Sequence, residues 1–233
     1  MFIQTAFNFS SVVQRWVCRF SGLRLLALRR FPAFLASSPC VASFLAPMGF
    51  KRQGVHFWRE ANGLTQAVHF QASRWGTKTD GSFTINLGVS SPLLYSTFTG
   101  KEPPKNPATT LWPINLRIGH LSPENLDCWW EISSTNDISS AEAEVVRALE
   151  CYAIPYFDRI TSIDSLRALV SGEGRVPGLL ESQRKIVFAI LSHMAGDQSF
   201  ARSTLRSEFL RLDGKPFQDA VLTVANRLGV ALL

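Results

Sequence analysis

Apolar and polar residues alternate along the middle of this chain with the period of a half-buried sheet. In Leu64–Ser73, Leu64, Val68, Phe70 and Ala72 fall on one side, and Thr65, Ala67, His69, Gln71 and Ser73 fall on the other. Ser82–Ser90 repeats this more cleanly, with Phe83, Ile85, Leu87 and Val89 against Thr84, Asn86 and Gly88. Val55–Glu60 has strand composition, and Ala61-Asn62-Gly63 then predicts a tight turn, because Asn and Gly tolerate positive φ. Gly76, Asp80 and Gly81 predict a second hairpin loop over 75–81. Further strands are expected at Ile114–Ile118 and at Cys128–Ser133, where Trp130 and Ile132 oppose Trp129 and Glu131. The alternation implies an antiparallel sheet with one wet face.

Helical periodicity frames the sheet. A short helix ends at Val41–Leu45, closed by Pro47 and Gly49. Ser139 and Glu142 have capping-box spacing ahead of Val145, Val146, Leu149 and Tyr152, and Pro155 predicts a kink or break near Ile154. Thr161–Val170 reads as a short helix capped through Asp164. Three helices are expected at about Leu179–Met194, Ser199–Leu212 and Phe217–Leu228. Between strands, Ser91–Pro113 carries five prolines and reads as a long surface excursion. The glycine-rich Ser171–Gly178 reads as a linker. The fold class is therefore α+β: an antiparallel sheet of about five strands packed with helices, then a C-terminal helical segment. The expected organisation is a basic leader at 1–40, an α+β domain at 41–170 and a helical cap at 179–233.

Charge changes the picture more than composition does. With 46% hydrophobic and 18% charged residues the chain can bury a sizeable core, which excludes wholesale disorder. The net charge of +6 suggests nucleic acid or an anionic membrane. Its distribution removes that reading. Five of the 24 basic residues (Arg15, Arg19, Arg24, Arg29, Arg30) lie in residues 1–47, which hold no acid; the remainder carries 19 basic against 18 acidic side chains. The leader reads as a targeting segment, as an anchor interrupted by Pro32, Pro39 and Pro47, or as a start assigned too far upstream. The last reading is preferred. A cytoplasmic location follows, with export only if the leader is a targeting segment; no membrane contact is expected of the folded body.

Candidate chemistry is sparse. Cys18, Cys40, Cys128 and Cys151 form no C-x-x-C pair and the four histidines are scattered, so neither a metal site nor a cofactor is expected. Gly172-Glu173-Gly174 lacks the lysine and the context of a phosphate loop, and no nucleophile elbow occurs.

The motifs MGFKRQGVHFWRE, VHFQASRW, FTINLGV, LRIGHL and CWWEI follow in that order between residues 48 and 133. Together they resemble the bacterial domain-of-unknown-function family 4304, over roughly residues 40–170. The resemblance implies an opening helix ending in a Gly-Phe-Lys segment. It carries over no catalytic residue.

Polar groups converge at one place, the wet face of the sheet, where His69, Gln71, Ser73, Asn86, Arg117 and Glu131 project together if the strands pair as hairpins. Arg74, Trp75 and Trp129 border it. Two functions follow. In the first, the protein is a non-catalytic interaction module that docks one protein partner on this face or on 91–113; no nucleic acid is expected, because the electrostatic term is missing. In the second, it is a small enzyme in which His69 titrates near neutral pH, Arg117 binds an anion and Glu131 supplies a carboxylate. Structurally, Arg117 and Glu131 would form a cross-strand ion pair. Under the first reading, replacing Arg74 and Trp75 by Ala abolishes capture of the partner and leaves thermal stability nearly intact, as affinity capture and a melting curve would measure.

Overall fold

A computed structural model describes residues 38–74, 81–105, 107, 112–132, 135–172, 176–215 and 217–232. Six strands form one antiparallel sheet: β1 (Lys51–Gln53), β2 (His56–Ala61), β3 (Leu64–Ala72), β4 (Gly81–Ser90), β5 (Ile114–Arg117) and β6 (Trp130–Ile132). The order is β1-β2-β3-β4-β5, with β6 also on β4. The ten-residue β4 thus has β3 along one side. On its other side, β6 pairs with its first residues, Gly81–Phe83, and β5 with Asn86–Val89.

The Asn62-Gly63 turn sets the register. Both residues have positive φ, 51° and 76°, the geometry of the two-residue turn that matches strand twist. It pairs Ala61 with Leu64 and, counting outward, Phe57 with Val68 and His56 with His69. One face consequently collects Phe57, Leu64, Val68, Phe70, Phe83, Ile85, Leu87 and Val89, all buried. An aromatic diagonal crosses it, from Phe57 to Phe70 at 6.1 Å, Phe70 to Phe83 at 6.1 Å and Phe83 to Trp130 at 5.3 Å.

The helices among the described residues are α1 (Pro39–Leu45), α2 (Pro92–Thr99), α3 (Thr135–Ala148), α4 (Ile154–Asp158), α5 (Ile163–Ser171), α6 (Glu181–Met194), α7 (Gln198–Arg211) and α8 (Gln218–Arg227). Buried residues of sheet and helices, from Val41 to Leu232, belong to one contiguous core. Gln66 is 1% exposed on the core face of β3. It accepts from Arg59 Nε at 2.7 Å and donates to the carbonyls of Phe157 and Ile160 at 3.0 and 2.8 Å. Arg59 in turn donates to the Met48 carbonyl and to Asp158, both at 3.2 Å, so one strand pair ties α4 and the segment after α1 to the sheet.

Four local expectations are corrected. Ser91–Pro113 opens with a helix, α2, because Ser91 accepts from the Leu94 amide and Pro92 occupies the first turn, where its missing N–H costs nothing. Ser139 lies inside α3, which begins at Thr135, and so is no cap. Ser162, not Asp164, caps α5, through a reciprocal pair with Ser165. Pro155 breaks nothing: a π-helical turn over Leu149–Ala153 shifts the helix register and leaves Pro155 in the first turn of α4. The predicted hairpin loop before Gly81, the leader through residue 37, much of 106–111 and the middle of the glycine-rich linker lie outside the described residues.

The C-terminal helices follow the sequence closely, and named contacts seat them. Gln183 donates to the Pro113 carbonyl at 2.9 Å, and a Cβ on Gly178 would stand 2.4 Å from the Asn115 carbonyl oxygen. Arg184 caps α5 through the carbonyls of Val170 and Gly172, and Arg227 caps α2 through those of Thr97 and Phe98. Between α6 and α7, Glu208 is 1% exposed and accepts from Arg211 and from Lys185; these hydrogen bonds outweigh its desolvation and bring its carboxyl down to about 2.

Gln66→Leu keeps the volume but strands the Phe157 and Ile160 carbonyls in the core. It is expected to cost about 2–4 kcal/mol, read as a lower urea midpoint at unchanged slope.

Candidate functional site

The register that buries one face of the sheet also composes the other. Phe70 N–H donates to the Val55 carbonyl at 3.0 Å, so residues 55 and 70 form a hydrogen-bonded pair and the next pair, His56 with His69, is a non-hydrogen-bonded one. Side chains in such pairs approach most closely. The two imidazoles stack with centroids 4.3 Å apart and planes 23° from parallel. Asn86 stands opposite His69 on the next strand, and Arg117 stands opposite Asn86 on the one after. A polar row thus crosses four strands: His56, His69, Asn86, Arg117.

The last two members of the row are held in place. The Asn86 amide is buried and donates to Gln71 Oε1 at 2.7 Å. Arg117 forms an ion pair with Asp127, and its guanidinium lies 4.9 Å from the centre of the Trp129 ring. Trp129 Nε1 donates to the same Asp127 carboxylate at 2.9 Å, which fixes the indole under the arginine. Loops cover part of the face. Thr84 donates to the Cys128 carbonyl at 2.8 Å, and Trp112 lies so close over Gly88 that a Cβ there would meet its ring at 2.3 Å.

Two expectations about this face are corrected. Arg117 and Glu131 do not pair across strands: Glu131 stands opposite Ser82, because β6 and β5 follow one another along β4 instead of lying side by side. The carboxylate beside Arg117 is Asp127, from the loop before β6. His69 is also no neutral-pH titrating group. Burial, with the neighbouring His56 adding to it, lowers its pKa to about 4; burial lowers that of His56 as well.

Of the remaining candidates, the Ser73 amide donates to the Ser82 carbonyl at 2.8 Å, and Arg74 is exposed where β3 ends. Trp75 lies outside the described residues. Burial raises the Cys128 thiol, with Glu144 and Asp127 adding to the shift, so it is not a ready nucleophile. Sequence reasoning missed His56, Asp127 and Trp112. For His56 a signal existed: His56 and His69 are equidistant from the Asn62-Gly63 turn, so a two-residue hairpin must pair them. For Asp127 and Trp112 no local pattern points to the sheet face.

Elsewhere, a cavity of about 300 Å³ opens between α5, α6 and the start of α7, lined by residues including Arg167, Phe188, Asp197 and Phe200. None of the sheet-face residues lines it. No helix among the described residues is long and apolar enough to cross a membrane.

Fold and site together define an α+β protein whose antiparallel sheet keeps a polar, partly open face away from its core. The model of the family described as Domain of unknown function (DUF4304) matches residues 41–159, and the chain belongs to that family. No curated protein and no solved structure matches it.

The histidine pair gives stability a pH dependence of definite sign. Both folded pKa values lie below the unfolded value near 6.5, so the unfolded chain binds more protons and stability falls as pH drops from 6.5 toward about 4. His69→Gln should flatten that part of the curve, removing roughly 1–2 kcal/mol of the loss after allowance for solvent screening. Urea unfolding at pH 7 and pH 4.5, native chain against variant, measures it.

Proposed function

We propose that this DUF4304 member is a non-catalytic module that docks one protein partner on the polar face of its sheet, centred on Arg117 and Trp129. The carrying observation is the arginine itself: about one-third exposed, stacked on an indole, with both groups held by the Asp127 carboxylate. Arg and Trp dominate binding hot spots, and a pair already fixed in one geometry loses little side-chain freedom on docking. The nearly neutral body supports a protein partner over nucleic acid. The three C-terminal helices serve in this reading as a cap that seats α2 and β5 beneath the docking face.

The acid–base alternative draws less support. His69 is kept neutral over the physiological range, and Arg117 is already neutralised by Asp127. Glu131 belongs to a different part of β4's edge from Arg117. Groups so placed lack the mutual hydrogen-bond reach that general acid–base work requires.

The test compares full-length tagged chain with the Arg117→Ala, Trp129→Ala double variant in affinity capture read by mass spectrometry. One near-stoichiometric protein should be retained by the native chain and reduced at least about tenfold by the variant, as for loss of a hot spot, with the melting temperature nearly unchanged. A captured set that ignores the substitutions, or no stoichiometric protein at all, overturns the proposal.

A further inference from the structure

We propose that His56 and His69 form a two-histidine chelate on the sheet face for a divalent late-transition-metal ion of the zinc, nickel or copper class. This stands apart from the docking reading, which rests on Arg117 and Trp129. His56 and His69 occupy a non-hydrogen-bonded pair of adjacent antiparallel strands, the position at which side chains on one face come closest. Their rings are 4.3 Å apart between centroids. Adjacent ligand positions on such a metal, with bonds of 2.0–2.1 Å, need donor nitrogens about 3 Å apart. The approach requires a modest tilt of the two rings toward a common point, and rotation about the last side-chain torsion of histidine is soft.

Chemistry supports the geometry. Imidazole nitrogen, in its neutral form, is an ordinary ligand for ions of this class. The nearest groups are uncharged amides: Gln53 stands opposite His56 on β1, and Asn86 and Gln71 flank His69, while Lys51, opposite Trp58, lies on the diagonal from His56. The nearest cation along the row, Arg117, lies two strands from His69 and is compensated by Asp127. Among the described residues no third His, Cys, Asp or Glu joins the pair. Two coordination positions are therefore the protein's, and the others fall to water or an incoming ligand, the open arrangement of a site that exchanges ligands.

The pair also explains itself poorly as structure alone. A half-buried stack of two histidines contributes less apolar packing than two aromatic rings would.

The test uses nickel(II) chloride titrated into the full chain at pH 7.5, followed by isothermal calorimetry. One ion should bind per chain. His56→Phe and His69→Phe preserve a cross-strand ring pair while removing one ligand each. Either should weaken binding at least about 100-fold, the advantage of a second ligand held in place. His56→Gln and His69→Gln repeat the measurement with polar replacements, and circular dichroism checks that each variant folds. His120→Gln and His193→Gln should leave affinity unchanged. Nickel binding that survives loss of either His56 or His69, or no binding by the native chain up to about 1 mM, the affinity of only the weakest specific sites, overturns the proposal.

Discussion

The two-residue turn at Asn62-Gly63 is the constraint on which the rest of this structure depends. Because side chains alternate with period two, a slip of one residue in the β2–β3 pairing would turn one strand over against the other. Phe57 would then share a face with His69 instead of Val68, and His56 and Trp58 would share the face of Val68 and Phe70. The turn needs positive φ at both central positions, which Gly adopts freely and Asn more readily than most residues, and Asn62 is further anchored by donating to the Thr161 carbonyl at 2.9 Å. The β2–β3 register, the Phe57–Phe70 contact and the histidine stack are consequences of that one local choice.

The helices are then attached by polar groups that complete unfinished backbone. Gln66 serves the carbonyls of Phe157 and Ile160, Arg184 those at the end of α5, and Arg227 those at the end of α2. Each satisfies acceptors that a helix cannot satisfy itself, inside the core for Gln66 and at helix ends nearer the surface for Arg227. Apolar contact alone would let helices slide over a greasy face; directional bonds to particular carbonyls fix where they sit. The same principle shapes the open face, where Asp127 holds Arg117 and Trp129 in one arrangement and Gln71 holds Asn86.

Proline shows where sequence reading succeeds and where it fails. Five prolines made Ser91–Pro113 read as irregular, yet Pro92 starts a helix, since the first turn has no use for its missing N–H. Pro155 promised a break, but five residues of π-helix absorb it because Leu149, Ala153 and Phe157 are each buried in the core and keep the segment helical. Ser139 and Ser162 make the opposite point. Both sit in cap-like sequences, and only Ser162 precedes a helix whose first amides are otherwise unpartnered.

The sequence by itself determined the α+β class, the strand alternation, the C-terminal helices and the membership of a polar face by His69, Gln71, Asn86 and Arg117. All of these follow from period and turn chemistry, which act between near neighbours. Only tertiary structure decided what those residues do to one another. That β5 and β6 share one edge of β4 end to end gave Arg117 the carboxylate of Asp127 and separated it from Glu131. That His69 lies half-buried beside His56 made it neutral. Pairings between distant segments and the solvent exclusion they create depend on the whole packed core, and no local pattern encodes them.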